Sequence, residues 1–163
     1  MKVTSIATVD EQMGIGKDNQ IAWQNDEDMK HFRSYTEVKV VVMGRKTWDS
    51  LPVKPLLMRE NWVLCDTRTT PKTLAKSFNG IEEVVEYADF YSNNDELPSN
   101  ELCIIGGQSI YEQFMPYATD LVITRIKGDY QCDRFFPVID LNVWQRYDID
   151  VKDTCRIEYY KRK

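Results

Sequence analysis

Two runs of apolar, β-branched-rich residues, Val40-Val41-Val42-Met43 and Leu102-Cys103-Ile104-Ile105, each stop at glycine and give way at once to a helical pattern. The junctions read Gly44-Arg45-Lys46-Thr47 and Gly106-Gly107-Gln108-Ser109. Near-continuous apolar runs of this length suit strands covered on both faces, which belong to parallel sheets flanked by helices. Val3 to Val9, Trp62 to Cys65 and Leu121 to Ile126 supply further strands. Helical patterns fall over Asp26 to Thr36, Arg45 to Leu51, Pro71 to Phe78 and Ser109 to Pro116. Near the end Tyr147, Ile149 and Val151 alternate with polar residues, as do Ile157 and Tyr159, the period of two antiparallel strands. The predicted class is α/β: a central, mostly parallel twisted sheet with flanking helices and a C-terminal antiparallel hairpin. No repeat or linker divides the chain, so residues 1–163 are read as a single domain.

Charge narrows the function. Against 21 Lys and Arg stand 26 Asp and Glu, a net charge of −5, which argues against a nucleic-acid partner and means that an anionic ligand needs a local basic pocket. The opening MKVTSIATVD is too polar for a signal peptide or membrane span, so the chain is read as cytoplasmic with no membrane partner. Cys65, Cys103, Cys132 and Cys155 include no close pair, hence no zinc or redox motif, and are expected to be free and mostly buried. His31 is the one histidine, expected at the surface or rim, so no metal site or Ser-His-Asp arrangement is predicted.

The glycines mark the candidate site. A helix start offers unpaired N–H groups and the positive end of a dipole, and a glycine beside it lets a phosphate approach the backbone. Two such junctions in one sheet suit the two ends of a dinucleotide, although either alone is better read as a tight βα turn. Gly14-Ile15-Gly16-Lys17 fails the dinucleotide fingerprint, which needs glycine where Asn19 stands. It also fails the P-loop pattern, which needs glycine at Glu11 and Ser or Thr at Asp18. What remains is a polar loop after the first strand, running through Ile21 and Trp23, in the place where open α/β sheets bind ligands and where a lid can move. Asp28 and Phe32 share a helix face next to Met29, which puts a carboxylate on the apolar side. Asp28 also suits a plain first-turn acid, with Asn25 as N-cap.

Taken together, Gly14 to Lys17 through Trp23, Asp28 with Phe32, Met43-Gly44-Arg45-Lys46-Thr47-Trp48-Asp49-Ser50, Arg59, Ile105-Gly106-Gly107 with Ile110-Tyr111-Glu112, Thr124, and Phe136-Pro137 after Asp133 resemble dihydrofolate reductase along nearly the whole chain. The resemblance implies NADPH-dependent reduction of 7,8-dihydrofolate to tetrahydrofolate, in support of one-carbon metabolism, by a monomer that also binds antifolate inhibitors. It implies that Asp28 accepts hydrogen bonds from the amidine-like edge of the pterin and that Thr124 bridges Asp28 and the pterin amino group. Ile21 and Trp23 lie by the transfer site in the lid. Ile6, Ala7, Met29, Phe32, Leu51 and Ile105 grip the rings, and Arg59 forks the glutamate carboxylate.

For NADPH the resemblance implies Gly44, Arg45, Lys46 and Thr47 at one junction and Gly106, Gly107, Gln108, Ser109, Ile110 and Tyr111 at the other, with a cis peptide between Gly106 and Gly107. Arg45 and Lys46 are candidates for the 2′-phosphate. Ala7, Ile15, Gly16, Asn19, Leu64, Cys65 and Asp66 complete the set. Ala22 stands where the family usually has proline, Gln108 where a small residue is common, and Leu56-Leu57-Met58-Arg59 where Leu-Pro-Gly-Arg is typical. Asp66 takes the place of a small hydroxyl, and its carboxylate repels a phosphate dianion, an effect that Arg68 offsets. Two rivals remain. One is a pyrimidine reductase of riboflavin synthesis, which has no use for Asp28 with Phe32 and Arg59. The other is a non-catalytic nucleotide-binding protein, whose mark would be loss of Asp28 or of the glycine pairs.

Overall fold

The computed structural model describes residues 1–65 and 75–163. Six parallel strands form most of one sheet: β1 (Lys2–Val9), β3 (Val40–Gly44), β4 (Glu60–Leu64), β5 (Ala75–Phe78), β6 (Glu101–Ile104) and β7 (Asp120–Arg125). The hairpin strands β9 (Trp144–Val151) and β10 (Arg156–Arg162) complete it, in the order β5-β4-β3-β6-β1-β7-β10-β9, with β10 antiparallel to both β7 and β9. The two glycine-ended runs, β3 and β6, are neighbours, so both junctions open at one edge of the sheet.

Alternation along the central strands divides the core. Val40, Val42, Leu102, Ile104, Leu121 and Ile123 face one side, where α3 (Ile81–Ser92) and α4 (Gln108–Phe114) bring Ile81, Val84, Ala88 and Phe114. Val41, Met43, Cys103 and Val122 face the other, packed with Trp48 of α2 (Arg45–Ser50) and with Phe32 and Tyr35 of α1 (Asp26–Thr36). Burial on both faces is what the unbroken apolar runs encode.

The sequence pattern fails in one region. The helix expected over Pro71 to Phe78 does not form at its C-terminal half: Ala75–Phe78 is β5, paired in parallel with Asn61 to Leu64, while residues 71–74 lie outside the described residues. The Phe78 ring stacks 5.0 Å from that of Trp62, a contact between strands that local helix propensity cannot overcome. The helix of this region is α3 instead, entered through Gly80 without a side-chain cap. The thiols are all free, as expected, but only Cys103 and Cys155 are buried; Cys65 and Cys132 are half-buried.

Candidate active site

Asn25 caps α1, its side-chain oxygen accepting the Asp28 N–H at 3.0 Å, so the N-cap and the pocket carboxylate are parts of one turn. That turn aims Asp28 back at β1, where the Thr8 hydroxyl donates to Asp28 Oδ2 at 2.6 Å. Burial raises the Asp28 pKa above the usual carboxylate value, and hydrogen bonds from the Thr8 and Thr124 hydroxyls pull it down without cancelling the rise. Thr124 is buried on β7, one strand from Thr8, with which it is in register. His31, one turn after Asp28, is not a plain surface residue. Its ring lies 6.0 Å from that of Tyr35 and edge-on to Tyr159 at 6.5 Å, and burial lowers its pKa, so the ring is neutral near pH 7.

The two glycine junctions are tied to each other. The Gly44 N–H donates to the Gly106 carbonyl at 2.9 Å and the Ile105 N–H to Val42 at 2.9 Å, while the Gly106-Gly107 peptide is cis and Gly106 has φ of 120°. An added Cβ at Gly44 would meet Ile110 Cγ1 at 3.0 Å, and one at Gly107 would meet only Thr47 Oγ1 at 3.6 Å, so bare backbone at both helix starts faces the same space. The Tyr111 hydroxyl donates to the Ile6 carbonyl at 2.7 Å and locks α4 against β1.

The loop after β1 carries a strand of its own. Gly14–Gly16 forms a short strand, β2, antiparallel to β8 (Arg134–Phe135), and the Asp18 N–H donates to Asp133 at 3.2 Å. Asp10, buried, accepts the N–H groups of Gln12, Gly14 and Tyr130. Gly14 is needed there for its missing side chain rather than for backbone freedom, since a Cβ would fall 2.5 Å from Cys132 Cβ and 3.0 Å from Asp10 Oδ1. Gly14→Ala is therefore expected to destabilise the fold by about 1–3 kcal/mol, read as a lowered Tm; an unchanged Tm would show that the loop has no fixed seat on Cys132.

These elements enclose a cavity of about 840 Å³, within the size range of small-molecule sites. Ile6 and Ala7 of β1, the loop after it, Asp28 with Phe32, both glycine junctions and Arg59 all line it. A family model described as dihydrofolate reductase matches residues 2–161. The chain belongs to the dihydrofolate reductase family. The dihydrofolate reductase of Neisseria meningitidis is 39% identical over 145 residues, covering 89% of this chain and 85% of that protein. That of Ureaplasma parvum is 31% identical over 150 residues, covering 92% and 90%. Among solved structures, dihydrofolate reductase from Enterococcus faecalis, complexed with NADP(H) and RAB-propyl, superposes with a TM-score of 0.86 at 27% identity, covering 99% of this chain and 96% of that one.

Most residues expected from the resemblance to dihydrofolate reductases meet in this one cavity. From the pterin set, Ile6, Ala7, Ile21, Trp23, Asp28, Met29, Phe32, Leu51, Arg59 and Ile105 line it. From the cofactor set it takes Ile15, Gly16, Asn19, Gly44, Arg45, Lys46, Thr47, Leu64, Gly106, Gly107, Gln108, Ser109, Ile110 and Tyr111. Cys65 and Thr124 are outside the lining: Cys65 packs against the core and bonds Phe78, and Thr124 reaches the site through Asp28. Asp66 and Arg68 lie outside the described residues. Outside the predicted sets the wall also takes Thr8, Gln20, Arg33, Ser50, Leu56, Glu112 and Arg134, and His31 reaches it from the rim. Thr8 follows Ile6-Ala7 in β1, and its 2.6 Å bond to Asp28 spans twenty residues, so only the fold reveals it.

Two hydrogen bonds hold Arg59. Its Nε donates to the Leu57 carbonyl at 2.7 Å and Nη1 to Thr36 Oγ1 at 3.1 Å, while the Thr36 hydroxyl donates to the Phe32 carbonyl at 2.8 Å. Met58, just before Arg59, holds φ of 63°, the left-handed conformation that glycine adopts without strain.

Proposed function

We propose that this chain reduces 7,8-dihydrofolate to tetrahydrofolate with NADPH as reductant, and that Asp28 is the group that holds and polarises the pterin. The observation that carries the reading is the Asp28 carboxylate, set among apolar residues of the cavity wall, bonded from behind by Thr8 and sharing the cavity with two bare-backbone helix starts. An ionised Asp28 is an acceptor only, suited to the paired N–H donors of the pterin's amidine-like edge. Trp23 Nε1 is buried and has no acceptor among the described residues, so it is placed to hold a water that passes a proton to the ring nitrogen beside the reduced carbon. Thr124 steadies Asp28 and reaches the pterin amino group. Ile6, Ala7, Met29, Phe32, Leu51 and Ile105 supply apolar walls, and Ile21 closes over the reacting face.

NADPH fits the chain's own residues: the pyrophosphate and adjoining groups against Gly44 to Thr47 and Gly106 to Tyr111, where a Cβ would narrow the approach, with Ala7, Ile15, Gly16, Asn19 and Leu64 along its length. When bound it supplies the hydride. Arg45 and Lys46, at the first turn of α2, are the cations for its 2′-phosphate. We infer further a monomer acting in the cytoplasm, with antifolates as competing ligands. In support of the compartment, the four thiols are free, the state a reducing environment maintains. Neither rival draws support from the site, since Asp28, Arg59 and both glycine junctions share its walls.

The test is to mix the purified chain with dihydrofolate and either NADPH or NADH and follow loss of the reduced cofactor. Rapid loss with NADPH and slower loss with NADH is expected. No dihydrofolate-dependent loss with either cofactor would overturn the reading.

A further inference from the structure

Thr8 sits at the wall of the cavity, on β1, and its hydroxyl is committed to Asp28 Oδ2 at 2.6 Å. A threonine hydroxyl has one hydrogen and two lone pairs. With the hydrogen given to the carboxylate, the oxygen can act toward the cavity only as an acceptor. Asp28 and Thr8 together thus form a two-residue, acceptor-only surface, matched to a heterocycle edge that carries several N–H groups and mismatched to one that carries carbonyl or ring-nitrogen lone pairs. We propose that Thr8 is a positioning and specificity-determining residue for the pterin: it fixes the rotation of the Asp28 carboxylate and offers an acceptor of its own to a neighbouring N–H of the substrate. This rests on the dihydrofolate reading and deepens it.

The surroundings of Asp28 make the bond consequential. Thr8 reaches it from β1 and Thr124 from β7, both as hydroxyl donors. From α4 comes Tyr111, whose hydroxyl is spent on the Ile6 carbonyl, and from the start of β10 comes the buried thiol of Cys155; both groups have pKa values raised by burial and by the Asp28 charge. On its own helix, Glu27 is engaged with Thr154, and the neutral His31 ring turns toward Tyr159, where Asp150 and Lys152 act on it. Among the described residues no cation acts on Asp28; the groups that favour its charge are the hydroxyls of Thr8 and Thr124. Removing one of them lets burial raise the Asp28 pKa further, so affinity for an N–H-rich edge is lost at a higher pH.

The experiment compares Thr8→Val, which keeps the branched shape favoured in a strand, with Thr8→Ser, which keeps the hydroxyl. Dihydrofolate affinity is read against pH by quenching of intrinsic fluorescence, together with kcat, KM and NADPH affinity. For Thr8→Val, dihydrofolate binding weakens about tenfold at neutral pH, the acid limb of the affinity profile moves to higher pH, and NADPH affinity is unchanged. Thr8→Ser stays within about threefold of the unaltered chain in every reading. A Thr8→Val variant with unaltered dihydrofolate affinity and pH limb overturns the proposal, as does a Thr8→Ser variant that behaves like Thr8→Val. Thr8→Ala makes the same comparison should valine distort β1, with NADPH binding as the check that the site is folded. Failure of the unaltered chain to bind dihydrofolate would instead overturn the underlying reading.

Discussion

Asp28→Asn is expected to lower kcat/KM for dihydrofolate at neutral pH by about 100-fold or more, with NADPH affinity unchanged. The change is nearly isosteric, and the Thr8 hydroxyl can still donate to the remaining side-chain oxygen, so the loss isolates the charge and its paired acceptors from the shape of the pocket. An amide presents one acceptor and two donors where the carboxylate presents acceptors only, and a donor turned toward the pterin's N–H edge leaves both partners unpaired. The same substitution is expected to stabilise the fold. Because burial raises the Asp28 pKa in the folded chain, the folded state holds that proton to higher pH than the unfolded chain does. Stability therefore falls as pH rises from the ordinary carboxylate value through the raised one, and the penalty of the buried charge is largest above the raised value. Asp28→Asn removes it, so Tm at pH 7 rises above that of the unaltered chain, and the difference closes as the pH is taken below about 4. Undiminished turnover would remove Asp28 from the reaction. A lower Tm at pH 7 would show that its hydrogen bonds outweigh its burial.

What the sequence disclosed and what it concealed divide by the distance between partners. Asn25 and Asp28 interact within one turn, and α1 runs over the residues its pattern predicts. Val40 to Met43 carries its two-sided burial in its own composition. In contrast, Ala75-Lys76-Ser77-Phe78 holds no β-branched residue and becomes a strand because β4 and the Trp62 ring are there to receive it. The stripe of α3, Ile81, Val84 and Ala88, is diluted by Glu82, Glu83 and Glu86 and starts at a glycine that cannot cap. The seat of the β1 loop joins Gly14 to Phe135, and the hydrogen bond on the cavity carboxylate joins Thr8 to Asp28. Motif spacing could name Asp28 and Arg59 because family resemblance fixes such positions. It could not name Thr8, whose role exists only once β1 and α1 are packed.

Arg59→Ala is expected to raise KM for dihydrofolate by about 100-fold with a much smaller change in kcat and none in NADPH affinity. The structure spends the Nε of Arg59 on Leu57 and one Nη1 hydrogen on Thr36, which leaves both Nη2 hydrogens and the second Nη1 hydrogen to meet a carboxylate. Anchoring of this kind removes most of the rotamer entropy that a long side chain would lose on binding, so more of the interaction appears as affinity. Arg33 also lines the cavity and its charge opposes that of Arg59, but it pairs with Glu37 at 3.3 Å on an exposed face and cannot replace a fixed fork. Arg59→Lys should recover only part of the loss, since an ammonium keeps the charge without the planar pair of donors. The fold is spared, because Thr36 still donates to Phe32 when the guanidinium is gone. A pterin lacking the glutamate tail supplies the control. If its affinity drops as far as that of dihydrofolate, Arg59 acts on the shape of the pocket rather than on the carboxylate; if it is unmoved, the tail and the ring are held independently, one by a cation that α1 fixes in place and the other by an anion that β1 fixes in place.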